Sequence, residues 1–168
     1  MIDKSKVAIF NDFYGVSKYL GSSLLLLEQA DFAIVLPYRG VDQTVRRAGN
    51  LITRCSSLHV KMVFVSTPQV FSASRKIGGY KEKDKNICRD SYGLMMFGLE
   101  VATTIVSVGE DFRVVRWDGY WDGFALTMWD YLNKWDQMPS ILHVGPKNKS
   151  WFHNGLNTDL SRKLGLIV

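Results

Sequence analysis

The chain has 168 residues and a mass of 19.1 kDa, with 46% apolar and 22% charged residues. That make-up belongs to a globular protein able to bury its own core, and it excludes a disordered chain, a collagen-like repeat and a disulfide scaffold. Lys and Arg number 21 against 16 Asp and Glu, a net charge of +5 with a pI near 9.2. The surplus favours a polyanionic partner without choosing among nucleic acid, acidic protein and anionic lipid.

Cys55 and Cys88 are too few for a disulfide framework and read as free thiols in a reducing compartment. The first six residues lack the apolar core of a secretory signal, and Ile2 excludes N-myristoylation. The most apolar long stretch, residues 93–109, carries Glu100 and makes a poor membrane span. The expectation is a soluble, intracellular, cytoplasmic protein without a transmembrane segment. Nothing resembles a linker, and the four prolines fall where elements should end, so residues 1–168 read as a single domain.

In chain order, residues 6–10 read as a short buried strand. Residues 16–29 read as a helix weakened by Gly21-Ser22-Ser23. Residues 33–36, before Pro37, read as a strand. Asp42 can cap a helix running to Cys55, with Val45, Ala48, Ile52 and Cys55 at helical spacing. Arg46, Arg47 and Arg54 give that helix a basic side. Residues 59–67 alternate as a strand that Pro68 ends. The segment 75–89 reads as an exposed loop with six Lys or Arg and two acids: Arg75, Lys76, Lys81, Lys83, Lys85 and Arg89 against Glu82 and Asp84. Residues 94–108 read as a core helix carrying Met95, Leu99, Ala102 and Val106. Residues 112–117 and 124–129 read as the two strands of a hairpin. Residues 141–144 read as a short strand, and Thr158 can cap a brief helix to Leu164 with Gly165 at its end. The fold expected from these elements is α+β, with a mixed or antiparallel sheet, a long Trp-rich hairpin and two to four helices.

Three local features carry candidate chemistry. The first is the tandem Trp117-Asp118-Gly119-Tyr120 and Trp121-Asp122-Gly123-Phe124. Asp-Gly is a strong hairpin-turn signal because both residues tolerate positive φ. The segment reads either as a twisted hairpin or as an exposed aromatic platform of Trp117, Tyr120 and Trp121 beside Arg113 and Arg116, able to stack on bases or sugars. The second is the basic loop, whose Lys and Arg can neutralise phosphates while Tyr80 stacks. The third is Asn11-Asp12 after the first strand. An acid at a strand's carboxyl end is where a metal-dependent nuclease or phosphotransferase holds its first ligand, with Asp31, Asp42 or Asp118 as further acids. A helix N-cap accounts for Asp12 equally.

The rest of the inventory is negative. His59, His143 and His153 show no ligand spacing, and no Cys-x-x-Cys occurs. A Cys–His nucleophilic pair is open in space, though a lone buried Cys is commoner. There is no Gly-x-Ser-x-Gly, P-loop or Gly-x-Gly-x-x-Gly fingerprint, which disfavours serine-hydrolase, NTPase and dinucleotide chemistry. No cofactor is expected.

The order strand (59–67), polar loop, apolar helix (94–108) and long hairpin (112–129) resembles that of rhabdovirus matrix proteins. The small basic matrix proteins of plant members are similar in size and charge. The resemblance implies a virion structural protein that condenses nucleocapsids, self-associates as a homo-oligomer and makes a peripheral membrane contact, with no catalytic residue. The expected function is a non-enzymatic binding and assembly module on nucleic acid or nucleoprotein. Its polyanion surface would be Arg46, Arg47, Arg54 and the 75–89 loop, and its aromatic contact Tyr80, Trp117, Tyr120 and Trp121. The alternative is a metal-dependent nuclease or phosphotransferase with Asp12 as a metal ligand.

Overall fold

A computed structural model describes residues 1–13, 15–22, 24–37, 44–71, 79–86, 88–106, 111–118, 123–145 and 156–166. Five strands form one sheet: β1 (Val7–Phe10), β2 (Phe32–Val35), β3 (Lys61–Ser66), β4 (Phe112–Trp117) and β5 (Ile141–Val144). Every neighbouring pair is parallel, and the spatial order is the chain order β1-β2-β3-β4-β5. The expected α+β fold with a mixed or antiparallel sheet is therefore corrected to an α/β fold. A parallel sheet must be covered on both faces, so its strands are near-continuous apolar runs, as Phe32-Ala33-Ile34-Val35 and Met62-Val63-Phe64-Val65 are.

Helices cover both faces. On one face, Leu20 of α1 (Ser17–Leu20) and Phe124, Met128, Tyr131 and Leu132 of α4 (Phe124–Asn133) pack on Val7, Ile9, Ile34, Val63, Val115 and Leu142. On the other, Ala48, Ile52 and Cys55 of α2 (Thr44–Ser57) and Met95, Met96 and Leu99 of α3 (Ser91–Val106) pack on Ala8, Ala33, Val35, Met62 and Phe64. A short α5 (Asp159–Lys163) contacts β5.

The expected hairpin is the main misreading. Residues 124–129 open α4 instead of returning as a strand. Phe124, Thr127, Met128, Tyr131 and Leu132 are buried at spacings of three and four, a helical period that shows only over the full ten residues. The expected helix over 16–29 is a single turn. Gly21 closes it because the chain then runs against β1: Ile9 N–H donates to Ser22 O (2.9 Å) and Ser22 N–H to Val7 O (2.9 Å). That pairing covers the outer edge of the sheet, and a Cβ on Gly21 would strike the Val7 carbonyl oxygen. α3 is buried along one side, while Leu94, Val101 and Ile105 stay exposed on its outer side.

Candidate functional site

The helices that follow β1 and β4 lie on one face of the sheet, and those that follow β2 and β3 lie on the other. Connections therefore diverge at the carboxyl ends of β1/β2 and again of β3/β4. Such points are where open parallel sheets make room for ligands.

At the β3/β4 divergence a row of polar side chains crosses the sheet. Ser66, Arg116 and His143 are register partners on β3, β4 and β5, and all three are buried on the α2/α3 face. Glu100, on the buried side of α3, meets them. Arg116 Nη2 donates to Glu100 Oε2 (2.6 Å) and Nε to Oε1 (3.0 Å), a bidentate pair whose side chains are 2% and 3% exposed. The Ser66 hydroxyl donates to Glu100 Oε1. Arg116 Nη1 lies 3.1 Å from His143 Nε2. A guanidinium only donates, so Nε2 accepts, and Nδ1 carries the ring proton and gives it to the Tyr80 carbonyl (2.8 Å). Burial, and then the Arg116 charge, pull the His143 pKa down to about 3, so the ring is neutral at pH 7. The one full negative and one full positive charge cancel, which is the condition for keeping ions inside a core.

The network also anchors the segment after β3. Tyr80 gives its carbonyl to His143, Glu82 accepts from the His143 N–H (3.1 Å), and the Tyr80 ring stacks on Phe71 at 4.3 Å. Arg116 lies over the other ring of that stack, 4.9 Å from the Phe71 centroid. The segment is thus held near the carboxyl ends of β4 and β5, and it presents Lys81, Lys83 and Lys85 exposed.

The turn after β1 is built differently. Asn11 has φ +61°, and its Nδ2 donates to the Leu36 carbonyl (3.2 Å), tying the ends of β1 and β2 together. The Asp12 carboxylate accepts from Val16 N–H through Oδ1 (2.6 Å) and from Ser17 N–H through Oδ2 (3.0 Å). Burial raises the Asp12 carboxyl, but the Ser17 hydroxyl and the N–H groups of Ser17, Val16 and Gly15 outweigh it and hold it below its ordinary value. Asp12, upstream of the Val16 N-cap position, therefore satisfies the N–H groups at the start of α1. Among the described residues no cluster of three His, Cys, Asp or Glu is placed to hold a metal.

The remaining candidates are dispersed. Arg46, Arg47 and Arg54 are exposed on α2, and Arg54 pairs with Glu28. Arg89 is exposed just before α3. Tyr80 is buried, and Trp117 is buried edge-on against Phe124 at 5.1 Å. Arg75, Lys76, Tyr120 and Trp121 lie outside the described residues. The Ser66–Glu100–Arg116–His143 row escaped the sequence reading. Its signal was one acid inside an apolar helix, Glu100, and basic residues inside an otherwise apolar strand, Arg113 and Arg116, which need buried partners.

The sequence matches no protein-family model, and no curated protein is significantly similar to it. Solved structures are similar in fold. A dTDP-4-dehydrorhamnose reductase from Bacillus anthracis str. Ames, in complex with NADP, aligns over 100% of this chain and 84% of its own, with TM-score 0.63 and 16% identity. A hypothetical dTDP-4-dehydrorhamnose reductase from Sulfolobus tokodaii aligns over 95% and 81%, with TM-score 0.60 and 14% identity. A UDP-N-acetylglucosamine 4-epimerase from Bacillus cereus aligns over 56% of this chain and 38% of its own, with TM-score 0.45 and 19% identity, too distant to bear on the fold. The fold is Rossmann-like.

These likenesses overturn the resemblance to rhabdovirus matrix proteins, which rested on a hairpin that is a strand followed by a helix. The matrix-like assembly role goes with it, as do virion association and the nucleic-acid or nucleoprotein partners, membrane contact and self-association it implied. The nuclease or phosphotransferase alternative is corrected as well: the fold likeness is to reductases, the Asp12 carboxylate accepts from the Val16 and Ser17 N–H groups, and among the described residues no three His, Cys, Asp or Glu are grouped to hold a metal. No helix among the described residues is long and apolar enough to cross a membrane.

Proposed function

We propose that the chain handles a nucleotide-linked sugar, the ligand class of the dTDP-4-dehydrorhamnose reductases whose fold it shares, at the carboxyl edge of β3 and β4. The observation that carries this reading is the likeness over the whole chain to a dTDP-4-dehydrorhamnose reductase. Two features support it. The β3/β4 ends are a point where connections diverge, and the segment anchored beside them carries Lys81, Lys83 and Lys85, cations suited to a diphosphate. In this reading the positive surplus serves a small anion.

The buried row positions and does not react. The Ser66 hydroxyl donates a hydrogen bond to Glu100, Glu100 accepts from Arg116 and Ser66 on both oxygens, and both His143 nitrogens are engaged. Its task is to fix the lysine-bearing segment over the strand ends. The test is thermal unfolding against a panel of dTDP- and UDP-linked sugars, with the free sugars as controls. A ligand at a hundred times its Kd adds about 2.7 kcal/mol, a rise of roughly 5–10 °C for a chain of this size. The rise is expected for nucleotide sugars and is lost when Lys81, Lys83 and Lys85 are replaced by Glu. No shift with any nucleotide sugar contradicts the reading.

A further inference from the structure

The shared fold raises the matter of a nicotinamide dinucleotide, since the Bacillus anthracis reductase was solved with NADP. A dinucleotide in a fold of this kind lays its pyrophosphate on the first βα turn. It needs unoccupied N–H groups at the helix start and glycines that let the phosphates approach the backbone. The residues present do not meet those needs. We infer that this chain takes no dinucleotide at its first βα turn, because the Asp12 carboxylate already holds the place and the hydrogen bonds of the pyrophosphate.

Five observations converge on this. The turn reads Asn11-Asp12-Phe13-Tyr14-Gly15-Val16-Ser17, with one glycine where the fingerprint has three. The Val16 and Ser17 N–H groups, which would face a phosphate, are both spent on Asp12 (2.6 and 3.0 Å). The carboxylate puts a negative charge where a dianionic pyrophosphate would sit, so the two repel. The Asn11 side chain closes the gap beside it by bonding the Leu36 carbonyl at the end of β2. α1 is also a single turn of four residues, so little helix dipole remains to attract an anion. A sugar nucleotide at the β3/β4 edge would then meet no hydride donor seated on this turn. The inference stands on the turn alone and does not depend on the sugar reading.

The test is site-resolved: amide NMR spectra of the full chain at neutral pH, titrated separately with NADPH and NADH into the millimolar range. The Gly15, Val16 and Ser17 signals are expected to stay fixed with both. On acidification the same signals should move as Asp12 protonates, below the usual carboxylate range. Saturable movement of these three amides with either dinucleotide overturns the inference. So does their indifference to acid, because Asp12 would then not be the cap. Asp12→Ala gives an independent readout: Val16 and Ser17 amide exchange should quicken roughly fivefold, the worth of a lost cap, and unchanged exchange counts against it. Titrating a dTDP-sugar in parallel keeps failure of the sugar reading separate, since its signals lie on the 79–86 segment.

Discussion

Removing the charge of Glu100 should be among the most damaging single changes available to this chain. In Glu100→Gln the guanidinium of Arg116, 2% exposed, loses its carboxylate partner and one of the two contacts at 2.6 and 3.0 Å. What remains is the one amide oxygen, His143 Nε2 at 3.1 Å and Asn86 Oδ1 at 3.5 Å, none carrying a negative charge. Breaking one side of a buried ion pair costs about 3–5 kcal/mol. That is a large part of the 5–15 kcal/mol typical of a whole domain, and corresponds to a fall in Tm on the order of 10 °C. Replacing both partners, as in Glu100→Leu with Arg116→Met, removes the unpaired charge and should restore most of the loss. Urea unfolding of the wild type, Glu100→Leu, Arg116→Met and the double variant gives the coupling directly. A Glu100→Gln loss below about 1 kcal/mol, or a double variant no better than the singles, refutes the buried-pair account.

Acid should act through His143. Its folded pKa, near 3, lies below the unfolded value of 6.5, so the unfolded state binds the extra proton. Stability is therefore full above pH 6.5 and falls as pH drops toward 3, by up to roughly 5 kcal/mol at about 1.4 kcal/mol per unit. His143→Asn should flatten that window in urea midpoints measured against pH, and an unchanged slope contradicts the assignment. Within α3 two glycines should respond oppositely to alanine. A Cβ on Gly93 would strike the Gln69 carbonyl, costing about 1–3 kcal/mol, whereas Gly98 has open space around it and should gain roughly 0.5–1 kcal/mol; thermal melts of both variants decide it. Cys55 is buried with its thiol pushed up to about 12, and Cys88 is only partly covered. Iodoacetamide at neutral pH followed by mass spectrometry should mark Cys88 in the native protein and both cysteines after unfolding.

Much of the fold was legible residue by residue, yet its topology was not. The runs at 6–10, 33–36, 59–67, 112–117 and 141–144 correspond to β1–β5 within two residues, because strands buried on both faces carry near-continuous apolar runs. Pairing direction left no such mark. Two Asp-Gly steps argued for a hairpin, and the β-rich start of α4, Phe124 to Trp129, agreed with them. Only the burial of Tyr131 and Leu132 on the same side as Phe124 and Met128 reveals the helix. Asp12 was singled out by its place after β1, but only the geometry separates a cap from a ligand. The buried row was hidden because its four members come from three strands and a helix far apart in the chain, and register alone brings them together.

The central claim is that the chain binds a nucleotide sugar and does so without a dinucleotide. Calorimetric titration of the wild type with a dTDP-linked sugar, alone and in the presence of NADPH, tests it most directly. Saturable heat is expected for the sugar nucleotide, unchanged by NADPH, and none for NADPH by itself. Binding of NADPH, or sugar-nucleotide binding that appears only once NADPH is present, contradicts it.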